Sequence, residues 1–125
     1  DKRLKKDIQQ IDDRYYDIAM KLKPSQYRFI KGDKYLKLGF IAQEVEEILK
    51  AKGIADMPLL EKNDDGIYAL DYNGIVAINT KAIQVIDNKL EKLETENNKL
   101  KQQIATLEDK LNAFISGDFS IKTIK

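Results

Sequence analysis

Residues 83–114 read IQVIDNKLEKLETENNKLKQQIATLEDKLNAF, and the spacing of apolar residues in this stretch decides the architecture. Ile83, Leu90, Asn97, Ile104 and Leu111 recur every seven residues, with Ile86, Leu93, Leu100, Leu107 and Phe114 three places behind them. These are the a and d positions of a heptad repeat, the pattern that keeps one seam of a slightly under-wound helix facing a partner helix. The stretch is therefore expected to form a coiled coil. Its flanking charges give a direction. In a parallel, in-register pair each g residue meets the following e residue of its neighbour, so Lys89 faces Glu94 and Glu96 faces Lys101, and both pairs attract. Stoichiometry does not follow from the same pattern. Mixed Ile and Leu at a and d select weakly between two and three strands, and Asn97 at an a position fixes register and is compatible with dimers.

Working outward, the chain from Gly74 to Ser116 contains no proline and a single glycine at its start, and Gly117 is placed to end a helix. A helix of about 40 residues is expected over 73–116, capped by Asp71 or Asn73, with 117–125 as a separate tail. The alternating apolar residues of that tail are compatible with a strand or with disorder. Upstream, Leu59–Lys62 and Ile67–Leu70 flank the turn residues Asn63-Asp64-Asp65-Gly66 and predict a hairpin. Ile41, Val45, Ile48 and Leu49 share one face of a helix that Gly53 would terminate. Tyr27 and Phe29, then Leu36, Leu38 and Phe40, alternate with polar neighbours on either side of Lys31-Gly32-Asp33-Lys34 and predict an earlier hairpin. Before it, Asp12 or Asp13 can cap a short helix that Pro24 stops. The expected fold class is α+β: a small head of short helices and β-hairpins over residues 1–72, followed by the long helix.

Composition excludes much chemistry. The chain of 125 residues has no cysteine and no histidine, which removes disulfides, thiolate nucleophiles, Cys/His zinc sites and imidazole-based triads. Lys+Arg 22 against Asp+Glu 21 leaves a net charge of +1, so no general field favours nucleic acid or an anionic membrane. The first residues are charged, and no apolar run approaches the roughly 20 residues that span a bilayer. A soluble chain with no signal peptide, no cofactor and no metal is expected. A basic segment joined to a zipper could bind DNA, but that arrangement needs one continuous helix, and here two hairpins intervene between Arg3 and the heptads.

Three blocks carry a family resemblance: DKRLKKDI at 1–8, GFIAQEV at 39–45 and LDYNGIVA at 70–77. Together, in order, they resemble the intramolecular chaperone domain of phage endosialidases, tailspikes and tail fibres, the peptidase S74 family. The resemblance implies a homotrimer, which moves the coiled coil to three strands. It implies a domain at the C-terminus of a phage fibre or tailspike that helps the upstream β-rich stalk fold and is then cut off by autoproteolysis. The setting it implies is the host cytoplasm during phage assembly, with the domain absent from the mature fibre.

In this family the cut falls between a serine and the aspartate that opens the first block. Asp1 is then the residue just after the scissile bond, the chain is the released product, and the nucleophilic serine lies outside it. The family's serine–lysine pairing falls on Lys5 as candidate base. A lysine can serve only when burial or neighbouring positive charge keeps part of it neutral, and Arg3 and Lys6 are the nearby cations. Fully extended, the intervening residues would hold the two groups roughly 16 Å apart, so the segment must bend or use Lys5 of another protomer. Glu44 in the middle block is expected to be structural, and Tyr72 and Phe40 to be core residues. A trimerisation clamp that stays attached to its fibre is the alternative that keeps the fold without the cut.

Overall fold

The computed structural model describes residues 1–124, and side chains as far as residue 117. The chain divides into two compact units, Asp1–Val85 and Ile86–Lys125. In chain order the first contains a 3₁₀ turn at Lys2–Leu4, α1 (Arg14–Lys21), β1 (Ser25–Tyr27), β2 (Lys37–Gly39), α2 (Ala42–Ala51), β3 (Leu60–Lys62) and β4 (Tyr68–Leu70). Helix α3 (Tyr72–Ile124) begins in this unit and forms the second.

The core is small and built mostly by helices. Ile18 of α1, Val45 and Leu49 of α2, Ile54 and Leu59 of the following loop, and Ile75 and Ile78 of α3 form one buried cluster. Tyr15, Ala19 and Leu22 extend the α1 face at helical spacing, and Phe40, Met57 and Leu70 close the edges. Local chemistry sets the helix ends. The carboxylate of Asp12 accepts the backbone N–H of Arg14 at 2.8 Å and also holds its guanidinium, so Asp12 rather than Asp13 satisfies the free donors at the start of α1. At the end of α2, Gly53 takes φ +69° while Ile54 N–H bonds Leu49 O and Gly53 N–H bonds Lys50 O, each at 3.0 Å. This is a Schellman stop, and its usual apolar contact is present because Ile54 and Leu49 are both buried.

Both hairpins are antiparallel two-stranded ribbons with three residues per arm. The second follows its turn signal: Asn63 O accepts Gly66 N–H at 2.9 Å, the Asn63 side chain accepts Ile67 N–H at 2.8 Å, and Gly66 takes φ +78°. The first is shorter than its alternation predicts. Pairing of Ser25 with Gly39 and Tyr27 with Lys37 leaves Phe29 and Leu36 outside the strands, in a connection tightened by the Asp33–Lys37 ion pair at 2.6 Å.

Helix α3 also departs from expectation at both ends. It starts at Tyr72 and runs through Gly117 to Ile124, where 117–125 had been expected to form a separate tail. No neighbouring atom lies within 4 Å of a Cβ placed at Gly117. Glycine lowers helix propensity without forbidding the helix, and its φ here is not positive, so no left-handed stop forms. What the tail does, strand partner or disordered end, lies outside the described side chains. At its N-terminal end α3 belongs to the head, with Ile75, Ile78 and Ala82 buried. Lys81 pairs with Asp13 at 3.0 Å, and Lys52 with Asp17 at 2.8 Å, which tie α1 to α3 and to the end of α2. As surface pairs each contributes little to stability.

Candidate functional site: the N-terminal segment and the apolar row of α3

Two features match the residues singled out in the sequence. The first is the segment that opens the chain. Asp1 accepts the backbone N–H of Arg3 at 2.8 Å and so caps the 3₁₀ turn, while Leu4 N–H bonds Asp1 O and Lys5 N–H bonds Lys2 O, both at 3.1 Å. A 3₁₀ turn advances about 2 Å per residue against about 3.3 Å for extended chain. The path from Asp1 to Lys5 is therefore shorter than extended chain would make it. The Asp1 carboxylate also takes the Arg3 guanidinium in a fork, with Nη2–Oδ2 at 2.6 Å and Nε–Oδ1 at 3.0 Å. The positive charge of Arg3 is thus turned toward Asp1. Lys5 is exposed, in extended conformation at the end of the turn, and its ammonium makes no ion pair among the described residues.

Beyond a left-handed Asp7, φ +54°, residues Gln9–Ile11 run along the first turns of α3, opposite Ala77, Thr80 and Gln84. Sequence inspection gave no warning of this contact. Its one signal is Ile11, an apolar residue in a polar stretch, which is half-buried.

The second feature is the heptad row. Ile83, Ile86, Leu90, Leu93, Leu100, Ile104, Leu107, Leu111 and Phe114 are all solvent-exposed in the single chain, and Asn97 stands among them. The exposures range from 37% at Ile86 to 71% at Phe114, with no partner element against the row among the described residues. Single exposed leucines are ordinary, but a continuous stripe of this length is not a stable surface in water.

Glu44 lies in the first turn of α2, half-buried, where a carboxylate complements the helix dipole. This agrees with a structural role. Phe40 packs on the core, as expected. Tyr72 does not sit in the core. It is 46% exposed and, with Tyr27, Phe29, Phe40 and Tyr68, lines a groove of about 500 Å³ between the two hairpins. Below the groove, Lys50 and Tyr68 hydrogen-bond the Glu46 carboxylate and hold its pKa below the ordinary glutamate value.

With this geometry in view, comparison with known proteins is specific. Residues 1–54 match the family described as chaperone of endosialidase, peptidase S74. No curated protein matches the chain in sequence. A solved structure described as a novel intramolecular chaperone matches with a TM-score of 0.55 and 21% identity, over 74% of this chain and 98% of the other. At that identity the likeness is one of fold. The two chains share a fold, and the match of residues 1–54 makes the head of this chain similar to the chaperone of endosialidase, peptidase S74.

Proposed function

We propose that this domain is a C-terminal intramolecular chaperone that promotes folding and trimerisation of an upstream β-rich phage fibre or tailspike. It is released by autoproteolysis at the Ser-Asp bond before Asp1. The observation that carries the reading is the unpartnered a/d row of α3 in a chain whose first 54 residues match the chaperone family. Three copies packed in parallel along that row would bury it, with Lys89–Glu94 and Glu96–Lys101 attracting across the seams. Assembly of three helices would bring three stalk ends together. The host cytoplasm during phage assembly is the setting for this step, and the released domain is absent from the mature fibre.

For the cut, the serine before Asp1 is the nucleophile and Lys5 the base. The folded 3₁₀ turn supports this pairing because it shortens the distance that extended chain would impose. Neutral Lys5 would take the seryl proton as the hydroxyl attacks the carbonyl carbon of the Ser-Asp bond and would return that proton to the departing Asp1 amine; water would then hydrolyse the acyl ester, leaving a carboxylate and restoring the serine hydroxyl. Since Arg3 is engaged by Asp1 and Lys5 is exposed in the single chain, a neighbouring protomer is the source of whatever buries the lysine. Correct assembly would then gate cleavage.

The test is expression of the domain with its natural upstream segment, as wild type, Lys5→Ala and a variant of the preceding serine, read by gel and by mass. Cleavage of the wild type alone is expected. If all three run at one uncut size, the peptidase half fails and a clamp that remains attached to its fibre is the surviving form.

A further inference from the structure

The heptad phase does not stop at Ile83. Counting back by the same rule, Asn79 and Tyr72 occupy d positions and Val76 an a position, all on the part of α3 that belongs to the head. In the structure this face is open: Val76 is 63% exposed and Ile83 67%, although Ile75, Ile78 and Ala82, on the adjacent face of the same turns, are almost completely buried. Charge is distributed just as unevenly. Between Tyr72 and Ile86 the only charged residue is Lys81, and its ammonium is held by Asp13 at 3.0 Å. From Asp87 onward charged residues crowd the helix. A helix face in water carries charge as a rule, and one that carries none over four turns has the composition of a covered interface.

We infer that the coiled-coil seam continues one heptad into the head, so that Val76 of each protomer meets Val76 of the other copies. The inference rests on the parallel self-association proposed above and extends it to the heads. Continuity favours a second copy of this chain as the occupant, because the exposed face is in phase with the seam and on the same helix. An unrelated partner would have no reason to follow that phase. Asn79 puts a second polar residue in the seam, at d where Asn97 is at a.

There is a consequence for the N-terminal segment. Thr80 stands at an e position and, with Ala77 and Gln84, carries the strap Gln9–Ile11. In a parallel bundle the e side borders the g side of the next helix, and here the g residues Ile75 and Ala82 are buried in their own head. Each strap is thereby placed beside the head of the neighbouring protomer. Closure of the heads would order the segment leading back to Asp1, whereas closure of the distal coil alone would not.

The absence of cysteine makes the test direct. Val76→Cys, Leu93→Cys and Asn88→Cys are made singly in the full chain and oxidised with copper phenanthroline, and covalent dimers are counted on a non-reducing gel. Equivalent seam residues lie within the Cα separation of about 4–7 Å that a disulfide needs, and residues on the outer f position, such as Asn88, do not. Crosslinking of both Val76→Cys and Leu93→Cys, with Asn88→Cys remaining monomeric, is expected. For a trimer it should saturate at two of every three chains. Crosslinking of Leu93→Cys without Val76→Cys would overturn the inference and leave the coiled coil standing. If neither crosslinks, parallel self-association fails and the inference fails with it. Val76 is exposed, so the substitution leaves the head folded, which the tyrosine circular dichroism verifies.

Discussion

Replacing Gly74 by alanine should destabilise the head, although helix propensity alone predicts the opposite. Gly74 is the third residue of α3, and glycine to alanine inside a helix gains about 1 kcal/mol, less in a first turn. A Cβ there, however, would sit 2.8 Å from Leu59 Cδ2 and 2.9 Å from Asp71 Oδ2. Leu59 is 2% exposed and walled in by the core, so it cannot yield cheaply, whereas the Asp71 carboxylate is the end of a half-buried side chain and can turn aside. Overpacking of this kind costs about 1–3 kcal/mol, which leaves a net loss of about 1 kcal/mol. For a unit of this size that lowers Tm by about 4–8 °C. The assay is thermal unfolding followed by near-ultraviolet circular dichroism of tyrosine. All six tyrosines lie between Tyr15 and Tyr72, so the signal reports the head and is silent on the distal helix. Gly39→Ala is the control. Its Cβ would crowd the Tyr72 hydroxyl more closely still, but that hydroxyl is the far end of a half-exposed side chain that can swing away. Its cost should stay within about 0.5–1 kcal/mol. A Gly74→Ala protein with an unchanged or raised Tm would refute the packing reasoning.

The head should lose stability in acid. Arg14 lowers the pKa of Asp12, Lys37 that of Asp33, and Lys50 with Tyr68 that of Glu46, in each case chiefly by hydrogen bonding to the ionised form. Folded values below unfolded ones mean that the stabilisation is present above the ordinary carboxylate range and is lost as pH falls through the folded pKa values. Urea midpoints read by the tyrosine signal should be flat above about pH 5 and fall below about pH 4, and a rise on acidification would contradict the assignment. In a precursor, Leu93→Pro combined with Leu100→Pro should break the distal helix, at about 3 kcal/mol per proline, and leave the chain uncut. Efficient cutting by the resulting monomer would sink the gating proposal. Asn97→Ile should raise the melting temperature of the assembly, because a polar a residue holds register at a cost in stability. Sedimentation equilibrium of that variant shows whether the number of chains is kept, and a lower Tm would remove the register role.

Much of this was legible because the decisive signals are local. The long helix under the heptads, the Asn63–Gly66 turn and the Gly53 stop each depend on residues close in sequence, and the structure has all three. The first hairpin was overread because alternation specifies which face a residue takes, not how far pairing continues. Phe29 and Leu36 alternate correctly but flank a connection stabilised by Asp33 and Lys37 instead of by a ladder. Tyr72 was misjudged for a related reason. An apolar residue at a helix start is equally compatible with the core face and with the seam, and only the burial of Ile75 and Ile78 shows which face the head uses. The strap Gln9–Ile11 has no periodicity at all, so its course along α3 could come only from tertiary structure.

The double use of α3 bears on the order of folding. Starting a helix is the costly step, since the first turn fixes several residues for a single hydrogen bond, and propagation from an existing turn is nearly free. The distal helix from Ile86 onward has no tertiary core of its own to offset that cost. The head does, because Ile75 and Ile78 are held in helical register by their place in one core cluster with Leu59, Leu49 and Ile18. A folded head therefore presents α3 with its first turns already formed, in the phase that puts Val76 and Ile83 outward, and the helix has only to extend. The seam then becomes available to other copies after the head has folded, not before. In a precursor that assembled and cleaved as proposed, this sequence would withhold association from chains whose heads are misfolded, and since the strap leading to Asp1 lies on those same first turns, it would tie the cut to the same condition.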